Sequence, residues 1–230
     1  MRAPMMDERR ARTARPRRET ATRTRRSRRR RRALSGVQGD GGTDPIRVDT
    51  FCVDRTEVTR AQYAAFPAAA TTEGQPPYCS WNVSFGVVAV SDDLPITSVD
   101  WCDARAYCAW AGKRLCTASE SRSACSSAGK KYPYGASHVA GRCNDATAGK
   151  GGPVAAGSLT CTSELGVHDM VGNVWEWIDA CSGTSGASDP CSFNNGGAYS
   201  HLYDCDQTAT GFTRQSFSLD VGFRCCSDLE

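Results

Sequence analysis

The chain has 230 residues, 40% hydrophobic and 23% charged, with thirteen cysteines and a formal net charge of +3. No stretch approaches the ~20 consecutive apolar residues that a bilayer-spanning helix needs, so a membrane span is not expected. The charge is split: residues 1–34 hold fifteen Arg against Asp7, Glu8 and Glu19, which puts +12 in the first 34 residues and −9 in the rest.

Residues 1–34 have almost no apolar side chains and read as a disordered Arg-rich tail. Such an arm could bind phosphates through counterion release. The competing reading is an inert or misassigned upstream stretch, favoured by the chain's use of 24 Arg against 4 Lys. Residues 35–45, rich in Gly and Asp, read as a linker, and residues 46–230 as one domain with a sizeable core. Ile46 to Val53 alternates and predicts a first strand. Thr56 opens a cap-like stretch and a helix through Phe66, ended by Pro67. Ser98 is the expected cap of a second helix, carrying Trp101, Cys102, Ala106, Cys108 and Trp110 and stopped by Gly112. Thr117 is the expected cap of a third helix, Ala118 to Ser127. The remainder reads as short strands and long Gly/Ser/Asp loops, an irregular α+β pattern held by disulfides.

All thirteen cysteines fall between Cys52 and Cys226. That density in an acidic, Gly-rich domain points to an oxidising compartment, periplasmic or extracellular. A basic start is present without the apolar run of a secretory signal; a misassigned start site would reconcile the two. Cys181 and Cys191 flank SGTSGASDP and are expected to staple that loop. Cys143–Cys161, Cys102–Cys116 and Cys52–Cys226 complete the expected set. Thirteen is odd, which leaves one thiol over, and Cys79 is the expected free one.

The chemistry concentrates in Asp169-Met170-Val171-Gly172-Asn173-Val174-Trp175-Glu176-Trp177. On a strand Trp175 and Trp177 share a face, with Glu176 on the other. Asp169 and Glu176 could then converge on a hard cation, with turn carbonyls completing the shell; otherwise this is a Trp-rich core strand with a solvated Glu. His138, His168 and His201 lie in three separate loops without the close spacing of a metal triad.

Seven ordered pieces carry a resemblance. They are FCVDRTEVTRAQYAAF from Phe51, LPITSVDWCDARAYCAWAGKRLCT from Leu94, Tyr132 to Gly135, Cys143-Asn144, the GNVWEW block, Gly196 to Tyr199, and Val221 to Cys225. Together they resemble the sulfatase-modifying-factor domain, the family of the formylglycine-generating enzyme. The resemblance implies a variant of the C-type-lectin-like fold and copper- and oxygen-dependent oxidation of a substrate cysteine. In the family, two copper-binding cysteines follow an Arg-Gly-Gly-Ser block, four and nine residues after its second glycine. Here that glycine is Gly197, and those positions hold His201 and Asp206. Asn195 stands for the arginine and Ala198 for the serine. Cys205 better matches a structural cysteine of the family. Copper is therefore not expected, and whether the chain is an enzyme is left open.

The resemblance also implies a calcium site on Asp169, Gly172, Val174 and Glu176, through two carboxylates and two backbone carbonyls. A second family calcium site would begin at Asn144 and Asp145, but its partners fall in a segment missing before Pro153. The resemblance further pairs Cys108 with Cys225 and Cys125 with Cys205. The leading expectation is an exported, monomeric binding or structural module without copper chemistry, with an unidentified protein or carbohydrate ligand. The alternatives are formylglycine generation on sulfatase cysteines by an altered site, and nucleic-acid binding through the Arg tail.

Overall fold

The computed structural model describes residues 45–229, apart from Val87, Ser127, Ala128, Asn195 and Gly196. The Arg-rich tail and all of the linker except Pro45 lie outside the described residues. Among the described residues there are two four-stranded sheets, three α-helices and one short 3-10 helix, Pro77–Cys79. The first sheet has the order β1-β2-β8-β3, from Ile46–Val48, Phe51–Val53, Cys225–Asp228 and Arg114–Leu115. The second has the order β6-β5-β4-β7, from Thr208–Thr213, Pro190–Asn194, Trp175–Cys181 and Val221–Phe223. All neighbours are antiparallel except β4 and β7, which run parallel. β7 and β8 belong to different sheets and only Arg224 separates them, so the chain crosses from sheet to sheet at one arginine.

Local sequence chemistry explains the helices. α1 (Arg60–Ala69) is capped by Thr59, whose side chain accepts from the Gln62 N–H while the Gln62 side chain accepts from the Thr59 N–H. The same reciprocal box joins Asp100 and Asp103 at α2 (Trp101–Trp110), and Thr117 and Glu120 at α3 (Ala118–Cys125). Each box satisfies two otherwise orphaned backbone donors. The first two caps differ from the expected Thr56 and Ser98. Ser98 has φ +60° and precedes the true cap. Pro67 lies inside the last turns of α1 rather than ending it, and the helix closes with Ala70 N–H donating to the Phe66 carbonyl. Ile46–Val53 is a hairpin rather than one strand, with Val48 opposite Phe51 and Asp49 turned at φ +47°.

Two clusters form the core. One is aromatic: Tyr63, Phe66, Trp101, Tyr107, Trp177, Phe193 and Phe223 pack between α1, α2 and the second sheet. Two indole bonds tie α2 and the segment just before it to β4, with Trp101 Nε1 donating to the Ile178 carbonyl (2.8 Å) and Trp177 Nε1 to the Val99 carbonyl (3.0 Å). The other cluster is rich in cystine and lies against the first sheet, with Val53, Met170, Cys125, Cys143, Cys161, Cys205 and Cys226.

Six disulfides are present: Cys79–Cys102, Cys108–Cys225, Cys116–Cys226, Cys125–Cys205, Cys143–Cys161 and Cys181–Cys191. Among the described residues only Cys52 is free. The expected Cys52–Cys226 and Cys102–Cys116 pairs and the free Cys79 are therefore corrected. Val53 is the residue opposite Cys226, so Cys52 points to the other side of the sheet and cannot reach it. Cys102 sits in the first turn of α2 and meets Cys79, which leaves Cys116, just beyond β3, to meet Cys226. Adjacent Cys225 and Cys226 thus take different partners from opposite faces of β8. A domain with this many disulfides is built for an oxidising, non-cytosolic compartment. Among the described residues no helix is long and apolar enough to cross a membrane.

Candidate functional site

The approach to β4 is a turn with three left-handed residues, Asp169 (φ +53°), Gly172 (φ +78°) and Asn173 (φ +60°). Asp, Asn and Gly are the residues that adopt this region at least cost. Gly172 is doubly required: a Cβ there would overlap the Asn144 carbonyl. That close approach lets Asn173 N–H donate to the same carbonyl (2.7 Å). The Asn173 amide then ties three segments together. Its Nδ2 donates to Glu57 Oε1 (2.9 Å), and its Oδ1 accepts from the Val154 N–H (2.9 Å) and Asn144 Nδ2 (3.0 Å).

Glu176 is not solvated. It is buried in β4, and Arg224 grips both of its oxygens: Nε donates to Oε1 (2.9 Å) and Oε2 (2.8 Å), and Nη2 to Oε1 (2.6 Å). The other guanidinium bonds go to the Asp54 carbonyl (3.3 Å) and the His168 carbonyl (3.0 Å). Burial disfavours the Arg224 charge, but Glu176 outweighs it and holds the guanidinium firmly protonated.

A third carboxylate, Glu57 in the segment leading into α1, completes the cluster. Glu57 is fully buried; its Oε1 accepts from Asn173, and its Oε2 has no partner. Asp169 repeats the pattern, with Oδ2 accepting from the Gly157 N–H (2.6 Å) and Oδ1 buried without a partner. Burial, reinforced by Asp169, pushes the Glu57 carboxyl well above the usual range. Burial also lifts Asp169 to about 6 despite the Gly157 bond and Arg224. Among the described residues no group of three or more His, Cys, Asp or Glu side chains is arranged to hold a metal ion. The two orphaned carboxylate oxygens are nevertheless donors of the hard kind that calcium takes, and on that ground the cluster fits such an ion.

The loop after β5 has a different character. Ala198 is buried. The His201 ring stacks on Tyr203 and meets Trp175 edge-on, both with centroids 5.4 Å apart. Asp206 is ion-paired with Arg122 of α3, and Cys205 is bonded to Cys125. His201 and Asp206 therefore serve an aromatic stack and a surface ion pair, and Cys205 offers no thiolate. Asn195 lies outside the described residues. The other histidines have separate partners, His138 with Asp145 (2.8 Å) and His168 with Thr162 (3.2 Å).

Comparison with known proteins fixes the family. The model of the sulfatase-modifying factor enzyme 1-like domain matches residues 20–229, and the chain belongs to that family. The chain is 32% identical over 154 residues to the bovine (Bos taurus) protein named inactive C-alpha-formylglycine-generating enzyme 2, which covers 59% of this chain and 50% of that one. It thus spans about half the length of that relative. It is 26% identical to the formylglycine-generating enzyme of Streptomyces coelicolor, over 85% of this chain and 84% of the other. Among solved structures, CarF superposes with a TM-score of 0.62 at 23% identity, covering 78% of this chain and 87% of that one, which speaks for the fold.

Proposed function

We propose that this domain is a non-catalytic sulfatase-modifying-factor module, exported to the periplasm or the extracellular space, where it binds a protein or carbohydrate ligand. The C-type-lectin-like variant fold implied by the family would present that ligand site on loops, although fold alone does not determine function. One observation carries the reading. The residues at the two copper-thiolate positions are His201, packed on Tyr203 and Trp175, and Asp206, paired with Arg122. Soft Cu(I) chemistry needs thiolates, and the neighbouring Cys205 is held in a disulfide. The name of the bovine relative agrees with a family branch that has lost the activity.

In this reading the buried cluster is a stability device. Asp169, the Gly172 and Val174 carbonyls, and Glu176 are the residues the family pattern offers to calcium, and the ion would supply positive charge to a buried acidic site. Asn173, Gly157 and Arg224 hold the carboxylates in place around it. The test is an oxidation assay on the purified protein with a cysteine-containing sulfatase peptide, oxygen and copper. The expected result is unchanged peptide; an aldehyde product formed at a rate that copper raises would overturn the proposal.

A further inference from the structure

We infer that the half-open aromatic face formed by Tyr203, His201, Tyr132 and Tyr134 binds a neutral oligosaccharide. This rests on the reading of the domain as a non-catalytic binding module and names its ligand class. Two ring pairs make up the face. Tyr203 stacks on His201 with the planes 20° apart, and Tyr132 on Tyr134 with the planes 16° apart. The pairs lie on adjoining segments, because Cys205 N–H donates to the Lys131 carbonyl (2.8 Å) and Ala146 N–H to the His201 carbonyl (3.0 Å). Burial raises the Tyr132 hydroxyl above its ordinary value, and Asp204 and Asp145 raise it further. Tyr132 therefore sits within the field of a carboxylate that directly follows Tyr203 in the chain.

The rings are fixed in place and still open to water. Gly197 has φ +76°, and a Cβ there would overlap the His201 Cβ and the Tyr203 ring, so the first stack forms only over a glycine. Arg142 lies over the Tyr134 ring at 4.5 Å, and the Tyr134 hydroxyl accepts from the Val139 N–H (3.2 Å). Yet Tyr203 is 38% exposed, and His201, Tyr132 and Tyr134 are half-buried. Fixed apolar surface left in contact with water marks a binding site.

The surroundings select the ligand. A sugar lays the C–H face of its ring on an aromatic ring and needs hydrogen-bonding groups at the margin. His138 is such a group. Its ring meets Tyr132 edge-on, and its Nε2 lies 2.8 Å from the buried Asp145 carboxylate, whose other oxygen accepts from the Thr147 N–H and hydroxyl. The imidazole is thereby oriented, and its Nδ1 is the nitrogen left for a ligand hydroxyl. The neighbouring cations are engaged: Arg122 with Asp206, Lys131 with Asp204, and Arg142 with the Tyr134 ring and the Thr160 carbonyl. With −9 in the chain beyond residue 34, an anionic glycan is disfavoured. Two ring pairs are small for a protein partner, which needs about 800 Å² per side, and suit two or more sugar rings in a row.

The test is calorimetric titration of the full-length, disulfide-intact protein with β-1,4-linked hexasaccharides of glucose, mannose and N-acetylglucosamine, and with the hexasaccharide of galacturonic acid as the anionic comparison. The variants are Tyr132→Ala, Tyr203→Ala, Tyr203→Phe and, as an exposed ring in another loop, Phe217→Ala. Thermal melting checks that each folds, and Tyr132→Ala decides if Tyr203→Ala does not. At least one neutral probe should bind, and each Ala variant at the face should weaken it at least about fivefold. Tyr203→Phe, which keeps the ring, and Phe217→Ala should bind as wild type does. Binding that survives undiminished in both Tyr132→Ala and Tyr203→Ala would overturn the proposal. So would binding of the galacturonic acid probe alone, which would assign the contact to charge. Binding of none of the neutral probes, with the sulfatase peptide left unchanged in the oxidation assay, would overturn this ligand and leave the non-catalytic reading standing. Oxidation of that peptide would overturn the non-catalytic reading itself.

Discussion

Trp175 and Glu176 are neighbours on β4, yet they border regions of opposite character. Glu176 belongs to a network in which every group is buried and each bond depends on the next: Arg224 on Glu176, Asn173 on Glu57, Gly172 on the Asn144 backbone. Trp175 borders the loop after β5, where His201 and Tyr203 lie against it in half-open aromatic contacts. The difference shows where a fold can lose chemistry. A buried polar network cannot lose one member without stranding the rest, so it changes as a whole or stays. A loop held by ring contacts and a disulfide can exchange its reactive residues for packing residues and keep its place.

The sharpest way to break this contrast is to remove Arg224. Arg224→Ala leaves Glu176 buried and unpaired and should destabilise the domain by about 3–5 kcal/mol; a denaturation midpoint close to wild type would show the network to be dispensable. Cys108→Ala opens a disulfide that closes a loop of 117 residues onto the same C-terminal strand. It should cost about 2–4 kcal/mol and expose Cys225 to thiol reagents, which alkylation and mass spectrometry will read. Gly172→Ala meets both a left-handed backbone and the Asn144 carbonyl. It should cost on the order of 1–3 kcal/mol by the same denaturation measurement, with the His201–Tyr203 ring stack unaffected.

A pH series sharpens the comparison by isolating a second acidic pair. Burial, with Asp103 beside it, lifts Asp100 from its ordinary 3.8 to about 7. The folded state then holds this proton more tightly than the unfolded one. Its stabilisation is complete below about pH 4 and is lost as pH rises through about 7. Asp100→Asn keeps a capping side chain and should therefore flatten the fall in melting temperature between pH 5 and 8. An unchanged pH profile would assign the whole dependence to the carboxylate cluster.

What could be read from the chain followed the range of the forces involved. The Thr117 cap was legible because Glu120 stands three residues on. The Asp100 cap was missed because Ser98 is an equally good cap type two residues earlier, and because its box partner is Asp103 rather than the usual Glu or Gln. The hairpin at Asp49–Thr50 lacks the Asn-Gly or Asp-Gly signal that marks tight turns. Asp169 and Glu176 stood out because they share one short motif. Glu57 did not, since the Asn173 that binds it lies 116 residues away and no local period announces it. Cysteine pairing divided in the same way. Cys181 and Cys191 bracket a short loop, whereas the partners of Cys79 and Cys226 depend on which face of α2 or β8 each side chain takes.

The most direct test of the account is a titration of the reduced-copper affinity of the purified, disulfide-intact protein against a competing Cu(I) chelator. With His201 and Asp206 at the thiolate positions and Cys205 oxidised, the chelator should keep its copper. Transfer of one equivalent to the protein, with binding lost in His201→Ala, would contradict the account and return copper chemistry to the loop.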